Sequence, residues 1–279
     1  MKFQQVWCMI KKLYPNGKSK AFNVTYDDGV LQDICFVGLL NKYTLKGTFN
    51  LNSKLMEKEF EWIHESGLVI KRLPENIASN LYSGHEIASH TLTHPYMDRL
   101  TENEIIHELQ TDKDNLEMLF GAKVKGFAVP FVYYSDLIEK CVKNCGFEYA
   151  RISEESLSYT PATSFYKLKA GIFHLDTNLD SYIDDFLSTK EELAFCQIAG
   201  HSYDLDTENM WDKIENIFKK VSEDNNILPM TTIEFVEYIK AMNLAEITEN
   251  HIKNNSNISL WFSVNDRICE IKPNEVCYV

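Results

Sequence analysis

The sequence predicts an α/β protein whose strands pair in parallel, wrapped as a barrel or laid out as an open sheet. Three observations carry this. Short runs with strand-like alternation recur along most of the chain, with helix-period runs between them, as expected where helices cross over between parallel strands. The side chains best suited to chemistry collect at the C-terminal ends of those runs, where such folds keep their sites. The 279 residues are long for one ordinary domain but suit an α/β barrel, and 44% apolar with 12% aromatic residues can fill a large core.

Charge and cysteine usage narrow the class. A formal charge of −13 argues against a nucleic-acid backbone or an anionic membrane as the main partner. The first twelve residues mix Gln, Lys and Trp with short apolar pieces, so no signal peptide is expected. No run is long enough to span a bilayer. Seven scattered cysteines, an odd number, suit free thiols in a reducing compartment better than a disulfide frame. Cys141 and Cys145 read as buried thiols ahead of a metal pair. The expectation is a soluble, cytoplasmic protein of unspecified oligomeric state.

In chain order, Ala21-Phe22-Asn23-Val24-Thr25-Tyr26 alternates between a Pro-Asn-Gly turn and Gly29, and reads as a strand with Asp27 and Asp28 at its end. Residues 30–43 have helical spacing, 46–51 read as a second strand, and 54–65 and 75–82 as helices, the first carrying His64 at its surface. Residues 84–89 form a short strand. A helix opens at Thr101, where Thr101 and Glu104 match a capping box, and stops at Gly121. Residues 124–129 read as a strand closed by Pro130, 135–144 as a helix, 147–152 as a strand. An apolar strand over 194–199 ends at Gly200-His201, and helices follow over 209–222 and 232–242. The tail differs: 258–264, 268–271 and 276–278 are short strands with a turn at Asn265-Asp266. They form a β appendage over 245–279, beside a barrel over 1–244. Asn254-Asn255-Ser256-Asn257 reads as a flexible connector.

The chemistry centres on Ser89-His90-Thr91-Leu92-Thr93-His94-Pro95. Residues four apart on one turn of backbone fall on the same side, so both imidazoles can reach one divalent metal. Two histidines do not close such a site, so a third protein ligand is needed. Asp27-Asp28-Gly29 alone would be turn chemistry; the downstream histidine pair turns it into a candidate partner.

Thr25-Tyr26-Asp27-Asp28-Gly29 and Gly84-His85-Glu86-Ile87-Ala88-Ser89-His90-Thr91-Leu92-Thr93-His94-Pro95 resemble, in order, the first two motifs of the polysaccharide deacetylases of the NodB-homology type, carbohydrate esterase family 4. The resemblance covers roughly the first 240 residues. It implies a distorted (β/α)7 barrel, Asp27 as catalytic base, and Asp28 with His90 and His94 as ligands of a divalent metal. Zn2+ is first choice, with Co2+ or Ni2+ next. His201 matches the family's late histidine and is the candidate general acid; a satisfied structural histidine is the plain alternative. The reaction implied is removal of N-acetyl groups from an amino sugar or N-acetylated glycan, metal-bound water attacking the amide carbonyl.

The sequence departs from the family at three places. The third motif's arginine is absent from Ala128-Val129-Pro130-Phe131, although the Phe131 backbone N–H can still face an oxyanion. A subset of the family is similar, with an arginine after a later strand, and Arg151 fits it; a guanidinium suits a carboxylate bidentately. The aspartate-tryptophan fourth motif is not evident, and Ala199 stands where a leucine usually lines the acetyl pocket. His174, at another apparent strand end, reads as structural ahead of a substrate contact or a supporting place behind the site. Thr91 and Thr93 read as ligand or structural hydrogen-bonders. The alternatives are hydrolysis of a small cyclic amide on the same fold, or a catalytically silent carbohydrate-binding barrel.

Overall fold

The computed structural model describes residues 9–56 and 60–279. Met1 to Cys8, and with them most of the expected signal-free start, lie outside the described residues.

A parallel sheet forms the frame. Its strands run in the spatial order Ile172–Phe173, Ala194–Gly200, Lys20–Asp27, Gly47–Leu51, Glu86–Ser89, Gly126–Ala128, Tyr149–Ile152 and Leu168–Lys169. A ninth, Ile227–Pro229, lies beside Lys20 to Phe22. The sheet curls into a barrel that stays open. Its two end strands follow one another in sequence through Ala170 and Gly171 but pair with different neighbours. Gly171 sits at φ +78°, and a Cβ there would overlap the carbonyl of Gln197, so glycine is required at this seam.

Alternation along the strands sorts two environments. Phe22, Val24 and Tyr26 of the strand Lys20–Asp27 join the large core with Phe36, Val37, Leu40 and Phe218 of the surrounding helices. The intervening Asn23, Thr25 and Asp27 belong to the other face, the barrel interior, which is polar and hydrogen-bonded. Asn50 Nδ2 donates to Thr25 Oγ1 (2.9 Å), Thr48 Oγ1 to Glu86 Oε2 (2.9 Å), and Tyr149 OH to Glu86 Oε1 (2.8 Å). Buried polar groups of this kind are tolerated because most find a partner, the Oδ1 of Asn50 and Oε1 of Gln197 being exceptions.

Helix Thr232–Met242 seals the N-terminal mouth. Its capping box, Thr231 and Glu234, is formed. Its first amides reach into the barrel: Thr232 N donates to Thr48 Oγ1 (2.9 Å) and Ile233 N to Glu86 Oε2 (2.8 Å). The same helix carries Phe235, stacked 3.7 Å from Phe195, and Tyr238, whose hydroxyl donates to the Leu13 carbonyl at 2.5 Å.

The tail folds as two three-stranded antiparallel sheets. One pairs Ile10–Leu13 with Leu260–Val264, and that with Arg267–Ile271. The other joins Glu246–Ile247, His251–Lys253 and Val276–Tyr278. Asn265 and Asp266 both have positive φ, the hairpin geometry that pair favours.

Two local expectations are corrected. Residues 54–65 do not form one helix: Ser53–Met56 is a single turn, residues 57–59 lie outside the described residues, and Glu61–Ile63 pairs antiparallel with Val69–Lys71. Aromatic and β-branched side chains at Phe60, Trp62 and Ile63, with a turn at Gly67 (φ +85°), outweigh helix propensity. The stretch at Asn254 is not a loose connector. Asn254 is fully buried, its Nδ2 donating to the carbonyls of Ile258 (2.7 Å) and Ile271 (2.8 Å). Among the described residues no helix is long and apolar enough to cross a membrane.

Candidate active site

Strand register gathers the site. Asp27 is paired with Asn50, Leu51 with Ser89, Ala128 with Arg151, and Gly200 with Tyr26. The residues just beyond these positions therefore meet at the C-terminal mouth of the barrel.

Asp28, His90 and His94 come together there, with one ligand atom from each lying within 4.8 Å of the others. The reason is not the helical turn their spacing implied. The segment after Ser89 is a bend, and Thr91 (φ +69°) and His94 (φ +56°) are left-handed. Asp28 (φ +85°) and Phe131 (φ +57°) are as well. Non-glycine residues in this region cost about 1–3 kcal/mol each and cluster at sites held by their surroundings. Those surroundings are visible. Thr91 Oγ1 accepts from His94 N (3.1 Å), and Asn52 Nδ2 donates to the carbonyls of Thr91 (2.9 Å) and His90. Ser89 Oγ donates to the buried Asp112 (2.6 Å). Thr93 turns outward to Glu108. Both threonines thus serve the turn.

His90 directs Nδ1 to the Ala128 carbonyl (2.8 Å), leaving Nε2 to face the cluster. Burial holds His90 down at about 4 and also lowers His94, so both rings are neutral near pH 7, the form that binds metal. Asp28 Oδ1 is buried without a hydrogen bond. Arg72 Nη1 lies 2.9 Å from that oxygen, but off the axis of a hydrogen bond. Burial would raise the Asp28 carboxyl; Arg72, then the nearby histidines, hold it well below the usual range. An anionic oxygen that accepts no hydrogen bond, beside two neutral imidazoles, is a donor set that suits a divalent cation.

Asp27 stands beside this cluster with partners of its own. Arg151, almost fully buried, places Nη2 at 2.5 Å from both Asp27 oxygens. One nitrogen straddles the carboxylate, rather than the two-nitrogen fork expected. Asn50 Nδ2 donates to Oδ1 at 2.7 Å. Burial would raise Asp27, but Arg151, with His90 and His201, keeps it lowered and charged.

His201 lies across the cluster, Nε2 3.9 Å from Asp28 Oδ2. Its Nδ1 is 3.0 Å from Asp204 Oδ2. Burial would lower His201, but Asp204, Asp28 and Asp27 outweigh it and carry the imidazole up to about 9. His174 is fully buried behind this pair.

Aromatic rings flank the mouth. Phe131 is stacked on Tyr96 (3.9 Å) and lies 4.6 Å from His94. Opposite, Tyr203 stacks on His201 (4.9 Å) and meets Trp62 edge-on (5.5 Å). Sequence reasoning missed Asn50, Arg72, Asp204 and Trp62. Asn50 had a signal, a polar residue on the Asp27-bearing face of the next strand; Trp62 lay in the stretch 54–65 read as helix, and Arg72 follows the second strand of the hairpin that stretch helps to form.

The profile of the polysaccharide deacetylase family matches residues 15–150. A curated relative, the uncharacterized protein YlxY of Bacillus subtilis, is 29% identical over 123 residues, 43% of this chain and 34% of that protein. The chain thus aligns with about a third of that relative's length. Among solved structures, a putative polysaccharide deacetylase from Mycobacterium smegmatis superposes with a TM-score of 0.60 at 16% identity, over 85% of this chain and 96% of that one. A mutant of BA3943, a CE4 family pseudoenzyme, superposes at 0.51 with 18% identity, over 81% and 70%. At these identities the structural likeness is one of fold.

Proposed function

Because this chain belongs to the polysaccharide deacetylase family, we propose that it is a metal-dependent hydrolase removing N-acetyl groups from an amino sugar or N-acetylated glycan. One observation carries the reading: a charged Asp27, pinned by Arg151 and Asn50, stands beside the Asp28–His90–His94 cluster without being part of it. A carboxylate so placed serves as a base, while the cluster keeps a separate task.

Asp28, His90 and His94 would hold a divalent cation, zinc before cobalt or nickel, which would supply a Lewis acid at the barrel mouth. Asp27 accepts the proton of the attacking water. Arg151 and Asn50 keep its carboxylate oriented and ionised before that transfer. The backbone N–H of Phe131 donates to the oxyanion that develops on the amide carbonyl. His201, with Nδ1 turned to Asp204 and Nε2 toward the cluster, protonates the departing amine, without which an amide nitrogen is a very poor leaving group. Tyr96–Phe131 and Trp62–Tyr203 supply flat faces on two sides of the mouth for a sugar ring.

The test is acetate release from N-acetylated chitooligosaccharides by the zinc-loaded chain, with Asp27→Asn as control. Acetate from wild type and none from the control is the expected result. Ring opening of small cyclic amides without acetate release would transfer the chemistry to another C–N bond. Turnover of neither, with metal bound, would make this a carbohydrate-binding barrel.

A further inference from the structure

We propose that His174, fixed by Tyr26, is a positioning residue that orients the proton donor His201 through Asp204. The proposal rests on the reading of His201 as the donor to the leaving amine.

Asp204 offers one oxygen, Oδ2, to two imidazoles: His201 Nδ1 at 3.0 Å and His174 Nε2 at 3.2 Å. The other ring nitrogen of His174, Nδ1, is 2.7 Å from the Tyr26 hydroxyl. The protons of this chain follow from its ends. An ionised Asp204 only accepts, so His174 Nε2 and His201 Nδ1 both carry N–H groups aimed at it. His174 Nδ1 then accepts from the Tyr26 O–H. The remaining nitrogen of His201, Nε2, is the one left for the site, 3.9 Å from Asp28 Oδ2.

The chain crosses three neighbouring strands of the barrel. Tyr26 belongs to Lys20–Asp27, His201 follows Ala194–Gly200, and His174 follows Ile172–Phe173, its backbone N–H donating to the Ala199 carbonyl at 2.9 Å. Asp204, by contrast, sits on a single helical turn, Asp204–Thr207, beyond the strand end. A carboxylate on so short a support gains a fixed rotamer from a second N–H that is itself anchored to the sheet. The local sequence is shaped around the His174 ring. A Cβ on Gly200 would overlap His174 Nδ1 and Cε1, so the residue before His201 must be glycine for the ring to fit. His174 and Tyr26 are both essentially unexposed. A buried imidazole and phenol carry a desolvation cost that Phe at either position would avoid, and their linked hydrogen bonds end at Asp204 and nowhere else.

The test uses the full chain with His174→Phe, Tyr26→Phe and His174→Gln. Two readouts are taken: the exchange-protected Nδ1 proton of His201 by NMR of histidine-labelled protein, and kcat and KM for N-acetylated chitooligosaccharide. H174F is expected to lose the protected proton and at least about tenfold in kcat, with KM within about twofold, since misorientation of a proton donor acts on the chemical step. Y26F, which removes one hydroxyl and keeps the ring, is expected to lose about threefold by the same route. H174Q, which retains an N–H able to reach Asp204, is expected to regain part of the H174F loss. A lower melting temperature with the Nδ1 proton and kcat unchanged in H174F and Y26F overturns the proposal, and if H174F does not fold, an unchanged Y26F does so alone. If the wild-type chain releases no acetate, the deacetylase reading fails separately. The proton readout then decides: retained in both variants, it overturns the positioning role; lost, it supports it.

Discussion

Replacing Arg151 by methionine removes a buried guanidinium lying 2.5 Å from both oxygens of Asp27. Methionine fills most of the stem, so the loss is chiefly one of charge. Removing one partner of a buried pair strands the other and costs about 3–5 kcal/mol. Asn50 still donates to Asp27 Oδ1, which places the expectation near the low end, about 3 kcal/mol. The pH dependence should change sign. In the wild type, Arg151 and the two histidines overcome burial and depress the Asp27 carboxyl. Its contribution to stability is therefore present above the unfolded pKa of about 4 and is lost as pH falls through the lower folded value. Without Arg151, burial dominates and the folded pKa lies above the unfolded one, so stability is lost as pH rises. The gap between wild type and R151M should widen from pH 5 to pH 8, and adding Asp27→Asn should recover most of it at pH 8. Urea unfolding of wild type, both single variants and the double variant measures this. Costs that add within about 0.5 kcal/mol, or a gap that does not change with pH, would refute a coupled buried pair.

Glu86 gives a second pH signature. Burial pushes its carboxyl up to about 7 against the donors Ile233 N, Tyr149 OH and Thr48 Oγ1. Its contribution is complete below the unfolded pKa of about 4.5 and declines as pH rises toward 7, by up to about 3 kcal/mol. Glu86→Gln should therefore gain on wild type between pH 5 and pH 8 in urea midpoints; parallel curves would count against the shift. Asn254→Ala removes two donors, to the carbonyls of Ile258 and the buried Ile271, and two acceptor contacts with Ser256, for an expected loss of about 2–4 kcal/mol in urea unfolding. A loss below about 0.5 kcal/mol would mean that the stretch is the loose connector its composition suggests. Gly126→Ala places a Cβ into the Tyr149 ring, which holds Glu86, and should lower the melting temperature by several degrees.

Legibility in the sequence followed the range of the interactions. The meeting of Asp28, His90 and His94 was readable because they lie in two short motifs at strand ends, which alternation with Gly and Pro punctuation located, and the family resemblance singled out Asp28 from Asp27. Arg151 was readable through resemblance to a family subset with an arginine late in a following strand, here Tyr149–Ile152. Asp204 was not, and although His174 stood at a visible strand end its link to Asp204 was hidden, since what joins them is the pairing of Ile172–Phe173 with the next strand. The hairpin that brings Trp62 and Arg72 to the mouth was lost to a helical reading of Lys54 and its neighbours. The pairing of Ile10–Leu13 with Leu260–Val264 spans nearly the whole chain, and nothing in either segment names the other. The Asn254 stretch misled for a different reason: a buried carboxamide that bonds two backbone carbonyls has the same composition as a solvated loop.

The most direct measurement is anomalous diffraction at the zinc edge from crystals of the zinc-soaked wild type, with metal content determined for Asp28→Ala and Asp27→Asn. The account predicts one peak between Asp28, His90 and His94, one zinc per chain in D27N, and a content near zero in D28A. No peak at those three side chains, or D28A retaining a full equivalent, would contradict it.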